Sequence, residues 1–400
     1  MMNWVEQEKK YFMSTVERAP LAIVKGEGSY VWDEHGRRYL DFVAGWAVNS
    51  LGHCHPAVVE AVRRQVGELI QTSNHYYTLP QLQLAEILIE NSSLDKIFLC
   101  NSGAEASEGA VKLARRYGKL HLGGAYEVIT TTGSFHGRTL AMVSASGQLK
   151  YQQPYTPLPS GFINVEFNSI EAIKQATTDT VCAVMLEPVQ GEGGVNVPSP
   201  GYLKEVRQWC DEKGIVLILD EIQTGIGRAG ALFAHQLYGI EPDVMALAKG
   251  LGGGLPIGAI MAKNKFSVFS AGEHGSTFGG NPVTCAAAYA TIKFMIDNDV
   301  PRNAHEMGQY LVERLTELKR KHPALITEVR GKGLLTAVQF QRDVAKDLAR
   351  RCLESGLLVN DVKPNALRLM PALTITQKEI DEAVESLNTA IVRLESCEIG

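Results

Sequence analysis

Two residues at the ends of apolar runs are the best placed in this sequence to do chemistry. Asp220 closes VLIL, and Lys249 closes DVMALA, both at positions where α/β sheets build sites. Lys249 opens the turn Lys249-Gly250-Leu251-Gly252-Gly253-Gly254. An amine there can lose its water, fall in pKa and attack a carbonyl as a nucleophile, forming a Schiff base. A lone lysine at a strand end reads as a surface residue, and a lone aspartate as one that bonds a loop amide. The pair says more. A carboxylate beside a pyridine nitrogen keeps that nitrogen protonated, and the charged ring stabilises a carbanion on the substrate.

Asn101-Ser102-Gly103-Ala104-Glu105 follows the run KIFLC and starts a helical pattern. Backbone amides and the helix dipole would face an anion there, so a phosphate would dock. Ser102 with Glu105 also spells a capping box, and a cap and a phosphate site can coexist. Gly225-Ile226-Gly227-Arg228-Ala229-Gly230 matches the dinucleotide fingerprint. Four residues separate its first glycine from Asp220, and no clear second strand ends in an acid at the required distance, which sets nicotinamide binding well behind. The glycines after Lys249 stand on the wrong side of it for a nucleoside-triphosphate loop. Arg138, in SFHGRTL, and Arg368, in ALRLM, each have the geometry to grip a carboxylate with two hydrogen bonds, although an isolated arginine reads first as a salt bridge.

These residues need a scaffold, and the pattern supplies an α/β one. KIFLC, AEASEGAVKLARRYG and YEVITT read as strand, helix, strand; VCAVMLE, IVLILDE, DVMALA and IGAIMA read as strands of a parallel sheet buried on both faces. Residues 201–214 form a crossover helix ending at a glycine. After Asn281 come helices, the strand candidates LITEVRG and LLTAVQF, and a last helix opened by the capping box Thr376 and Glu379. Pro323 closes the long helix before it. The expected division is a large α/β domain over 51–299 and a smaller α+β domain over 300–400, joined by the N-terminal segment 1–50.

Composition sets limits. The 400 residues exceed what one core usually serves, and 45% hydrophobic with 21% charged residues is ordinary for a globular protein. A net charge of −5 with scattered Lys and Arg does not suit a nucleic-acid binder. No run is apolar enough for a membrane span, and charges break the first twenty residues against a signal peptide. The seven cysteines, Cys397 included, lack metal or redox spacing and read as reduced thiols in a cytoplasm. No metal site is expected.

Taken together, SFHGRTL, LEPVQGEGGV, LILDEIQTGIGRAG, ALAKGLGGGLPIGA and HGSTFGGNP resemble the class III, ω-amino branch of the fold-type I aminotransferases. The similarity extends to VWDEHGRRYLDFVAGWAVNSLGHCHP and TSNHYYTLPQ, so it covers nearly the whole chain. The resemblance implies a homodimer with shared active sites and pyridoxal 5'-phosphate carried on Lys249. It pairs Asp220 with the pyridine nitrogen, sets Gln223 near the ring hydroxyl, and lays Phe135 and Ile222 on the two ring faces. Ser102, Gly103 and Ala104 would hold the phosphate, and Thr277 would reach it from the partner subunit. Ser276 is expected at the substrate. Arg138 would take the donor's α-carboxylate, leaving a distant amine at the cofactor. Glu192 would pair with Arg368 during that step and then release it to the α-carboxylate of the acceptor. Lys249 would be the general base, while His136 reads as a packing or hydrogen-bonding residue. Ser107 stands where asparagine is frequent, a departure that touches packing at most.

Within the branch the likeness is greatest to enzymes that pass the side-chain amine of N2-acetyl-L-ornithine to 2-oxoglutarate, in arginine synthesis. Near relatives take succinylornithine, ornithine, N-acyl-lysine intermediates or 4-aminobutyrate. A mutase or decarboxylase using the same cofactor shares the chemistry of Lys249 and Asp220, but Arg138, Arg368 and Glu192 suit a two-substrate transaminase. An oxidoreductase and a non-catalytic scaffold rank lower.

Overall fold

The computed structural model describes residues 4–399, with the side chain of Cys397 outside the described set. Its centre is a seven-stranded sheet in the order Lys96–Cys100, Gly258–Ala262, Val244–Leu247, Val216–Asp220, Val181–Leu186, Glu127–Thr131, Phe162–Val165. In a sheet expected to be mostly parallel and flanked by helices, the strand IGAIMA departs from its parallel reading: Gly258–Ala262 pairs antiparallel with both neighbours. Its apolar composition records burial on two faces, which an antiparallel strand inside a covered sheet shares with a parallel one.

Alternation along the strands explains that burial. Ile218 faces the helix Gly103–His121 through a cluster with Ala110 and Ala114, while Leu217 and Leu219 face the helix Tyr202–Lys213 through Leu203 and Val206. The first helix approaches the sheet closely at Gly118, where an added Cβ would lie 2.1 Å from the Ala125 carbonyl oxygen and 2.8 Å from Cys182 Cβ. Since one of those neighbours is backbone, Gly118→Ala is expected to cost about 1–3 kcal/mol of stability. The midpoint of denaturant unfolding measures it, and an unchanged midpoint would contradict the close packing.

The two ends of the chain meet. Strands Ile23–Glu27, Tyr30–Asp33 and Arg38–Asp41 form an antiparallel sheet, to which Leu357–Leu358 adds a parallel fourth strand. A third sheet runs antiparallel in the order Ile326–Lys332, Leu335–Phe340, Ala366–Leu369, Asn360–Lys363. The last helix, Gln377–Ile399, carries the expected capping box: the Thr376 amide donates to Glu379 Oε2 at 2.8 Å, and the Glu379 amide to Thr376 Oγ1 at 3.4 Å. Its stripe of Ile380, Ala383, Leu387, Ile391 and Leu394 is buried in the largest core cluster. Among the described residues no helix is long and apolar enough to cross a membrane, and no cluster of metal-ligating side chains occurs.

Candidate active site

Parallel strands bring their C-terminal ends to one edge of the sheet, and the residues that follow those ends converge there. A cavity of about 430 Å³ opens at that edge. Lys249, Asp220, Ser102, Gly103 and Ala104 line it, as do Phe135, Ile222, Gln223, Arg138 and Glu192. Ten of the thirteen residues singled out in the sequence thus share one cavity.

Lys249 begins a short 3-10 turn, Lys249–Gly252, with φ of 37°. A side chain in the left-handed region carries backbone strain, and such strain gathers at functional sites. Burial holds the amine below the usual lysine range; Glu192 and Asp220 pull the other way, and Arg368 adds to the depression. Among the described residues the amine has no hydrogen bond or ion pair.

Asp220 ends its strand buried. Its Oδ2 lies 2.7 Å from His136 Nδ1, and its Oδ1 accepts from the Ile222 amide at 3.0 Å. Burial opposes a charged His136, but the Asp220 carboxylate outweighs it and holds the imidazole pKa above the ordinary histidine value. His136 is thus the hydrogen-bonding residue expected, and it acts on Asp220. At another wall, Ser102 caps the helix Gly103–His121, its side chain accepting from the Glu105 amide at 3.3 Å. Ser102, Gly103 and Ala104 at this helix start line the cavity, and a Cβ added at Gly103 would come within 3.0 Å of Ile222 Cγ2, a tight contact.

Arg368 is 1% exposed, on the strand Ala366–Leu369. Its Nη2 donates to Glu192 Oε1 at 2.7 Å, its Nη1 to Gln223 Oε1 at 3.2 Å, and its Nε and Nη2 to Asn360 Oδ1 at 3.1 and 2.7 Å. Burial would raise the Glu192 pKa, but Arg368 and Lys249 outweigh it and keep the carboxyl below its ordinary value. Gln223 Nε2 remains a buried donor without a protein partner. Arg138 is exposed, stacked on Phe135 at 5.2 Å and Tyr151 at 4.0 Å from the ring centroids; among the described residues it makes no ion pair.

Two predicted residues stand apart from this cavity. Ser276 is bound to its surroundings, its Oγ accepting from Asn101 Nδ2 at 3.0 Å and from the Gly279 amide at 2.9 Å. Thr277 is exposed, and its carbonyl accepts from Gln71 Nε2 at 2.6 Å. Residues 225–230, the dinucleotide-like glycines, form successive turns and open no helix. Sequence reasoning passed over Glu187 and Asn360. Glu187 had a signal, since it follows the buried run VCAVML as Asp220 follows VLIL; Asn360, in a polar NDVK strand, had none.

Known proteins are similar to this chain in sequence and fold. The chain belongs to the class-III aminotransferase family, whose pattern matches residues 11–391. It is 50% identical over 388 residues to the acetylornithine aminotransferase of Caldanaerobacter subterraneus subsp. tengcongensis, covering 97% of this chain and 98% of that protein. Among solved structures, an ornithine aminotransferase from Toxoplasma gondii with partial occupancy of PLP at its active site aligns with a TM-score of 0.95 and 33% identity, over 99% of this chain and 96% of that one. An acetylornithine aminotransferase from Elizabethkingia anophelis aligns with a TM-score of 0.87 and 34% identity, over 98% of both chains.

Proposed function

We propose that this protein transfers the side-chain amino group of N2-acetyl-L-ornithine to 2-oxoglutarate with pyridoxal 5'-phosphate as cofactor, giving N-acetyl-L-glutamate 5-semialdehyde and L-glutamate in L-arginine biosynthesis. The observation that carries the reading is the buried Arg368, paired at 2.7 Å with Glu192, which lines the same cavity as Lys249. A neutralised arginine beside a desolvated lysine is what a site needs when it must refuse one α-carboxylate and later accept another.

The residues present fit the cofactor. Lys249 would hold it covalently, Asp220 would face its ring nitrogen, and the unpartnered Gln223 Nε2 would donate to its hydroxyl. Phe135 and Ile222 would flank the ring, and the amides after Ser102 would take its phosphate, with Thr277 of a second copy completing that grip. Bound pyridoxal phosphate supplies an aldehyde for the amine and a ring that draws electrons from the carbon losing its proton.

The protein's own groups do the rest. Arg138, free of a carboxylate partner, binds the donor's α-carboxylate, so the chain length places the distal amine at the reaction centre. Lys249, whose amine is desolvated, would take and return the proton at the substrate carbon that bears the amine. Glu192 then leaves Arg368, which takes the α-carboxylate of 2-oxoglutarate while Arg138 takes the distal one. The two substrates alternate in one pocket, a ping-pong cycle.

Glu192→Gln tests the switch. With the charge gone, Arg368 is open to α-amino acids, and the preference of kcat/KM for N2-acetyl-L-ornithine over an α-amine donor is expected to fall about 10- to 100-fold. An unchanged preference would remove Glu192 from the switch.

In this reading residues 51–299 form the cofactor-binding domain, and 1–50 with 300–400 form the smaller one. A homodimer is supported by the apolar side chains left in the open, Tyr76, Tyr77, Leu79 and Phe278 among them, close to the exposed Thr277. The six described cysteines are free thiols, which suits the cytoplasm. The test is spectroscopic: N2-acetyl-L-ornithine should change the visible spectrum of the cofactor-loaded protein, and 2-oxoglutarate should restore it. A spectrum that ignores this donor but responds to ornithine or N2-succinylornithine would reassign the donor; one that ignores every amine would overturn the transaminase reading.

A further inference from the structure

Among the described residues Glu187 is the one carboxyl lining the cavity that the cycle above leaves without work. It follows the strand Val181–Leu186 and is 5% exposed. Its Oε1 accepts from the Phe135 amide at 2.9 Å, and its Oε2 accepts from the Gly191 amide at 3.3 Å. Phe135 stands three residues before Arg138, and Gly191 one residue before Glu192. A single carboxyl therefore spans the backbone segments that carry Arg138 and Glu192, the partner of Arg368.

The charged groups that act on it, His136, Asp220 and Lys249, end or follow three other strands of the sheet. Asp220 opposes ionisation of Glu187, as burial does more strongly; His136, the Phe135 amide and Lys249 favour it. Glu192, on the same turn, is already committed to Arg368. The balance pushes the Glu187 carboxyl up to about 7. Both forms are then populated near neutrality, and they differ as acceptors. An ionised carboxylate offers two strong acceptor oxygens to the two amides, whereas a protonated one turns one oxygen into a hydroxyl and weakens that bond.

We propose that Glu187 is a positioning residue: its ionised carboxylate ties the segment carrying Arg138 to the turn carrying Glu192, and protonation loosens the tie. This rests on the transaminase reading for its consequence, because a loosened tie misplaces the grips on substrate carboxylates. The effect falls on KM for both substrates and leaves kcat nearly alone, since Glu187 touches no reacting atom. Direction follows from the sign of the charge. KM should rise as pH falls through the Glu187 titration.

The cofactor-loaded wild-type protein and Glu187→Gln are compared on both sides of neutrality. In the wild type KM for N2-acetyl-L-ornithine and for 2-oxoglutarate should rise about tenfold on the acid side, with kcat little changed. Glu187→Gln should show the raised KM throughout, with that step missing from its pH profile. A second readout does not depend on turnover. Infrared difference spectra of the wild type should show a protonated carboxyl band lost as pH rises through neutrality, and Glu187→Gln should lack it; the imidazole of His136 gives no such band. A KM profile identical in the two proteins, or the absence of a titrating carboxyl band in the wild type, would overturn the proposal. If the band titrates but neither substrate reacts, Glu187 keeps its protonation behaviour while the substrate assignment and the functional tie both fall.

Discussion

Lys249→Ala is expected to lose about 10³- to 10⁴-fold or more in kcat, because in the proposed cycle one side chain serves as both the covalent anchor and the proton carrier. Backbone strain at φ of 37° and a desolvated amine are costs that folding alone would not select. The variant should therefore fold well. A lysine pKa depressed in the folded state means stability is fully present only at alkaline pH and falls as pH drops through the folded value. At neutrality the cofactor-free alanine variant should unfold at a temperature at least equal to that of the cofactor-free wild type. Turnover and thermal unfolding read the two halves separately. Retained turnover would move the chemistry to another residue, and a large fall in unfolding temperature would make Lys249 a structural lysine. Borohydride reduction followed by mass analysis should fix the cofactor to Lys249 in the wild type and to nothing in the variant.

Asp220→Asn should keep the fold and lose kcat by on the order of 10²- to 10³-fold, the usual effect of removing one preorganised charge from a buried site. Asparagine can still accept from the Ile222 amide through its oxygen, so the local backbone has no reason to move. What changes is charge. In the proposed role opposite the ring nitrogen, a neutral amide would no longer favour the protonated form, and His136 loses the carboxylate 2.7 Å from its Nδ1. In the wild type that carboxylate lifts the buried imidazole above its ordinary pKa, so the pair contributes stability that is fully present below the unfolded histidine value and is lost as pH rises through the folded one. The variant should lack this slope in a plot of unfolding midpoint against pH. A slope preserved in Asp220→Asn would show that His136 is not charged through Asp220, and a wild-type kcat would end the pyridine-nitrogen role.

The pattern of residues carried much of the fold. Buried strands announced themselves through β-branched and apolar runs, and amphipathic helices through their spacing, because burial on two faces or on one leaves a direct mark on composition. Strand direction left no such mark, which is why Gly258–Ala262 emerged as antiparallel only when its partners were known. Lys249 and Asp220 were legible for a related reason. A charged residue at the end of a buried apolar strand is expensive to place, so its presence there is information.

Contacts distant in sequence were a different matter. Arg368 meets Glu192 across 176 positions and Asp220 meets His136 across 84, and resemblance supplied the first pair whereas nothing in the sequence supplied the second. Glu187, Asn360 and the exposed state of Arg138 likewise depended on which loops the sheet brings together. Sequence by itself determined which residues had the chemistry and which segments would be strands and helices, because those follow from side-chain type and from periods of two and 3.6. Only the tertiary structure decided which charges face one another and which are desolvated, because pairing and burial are properties of the assembled surface, and through them of every pKa in the site.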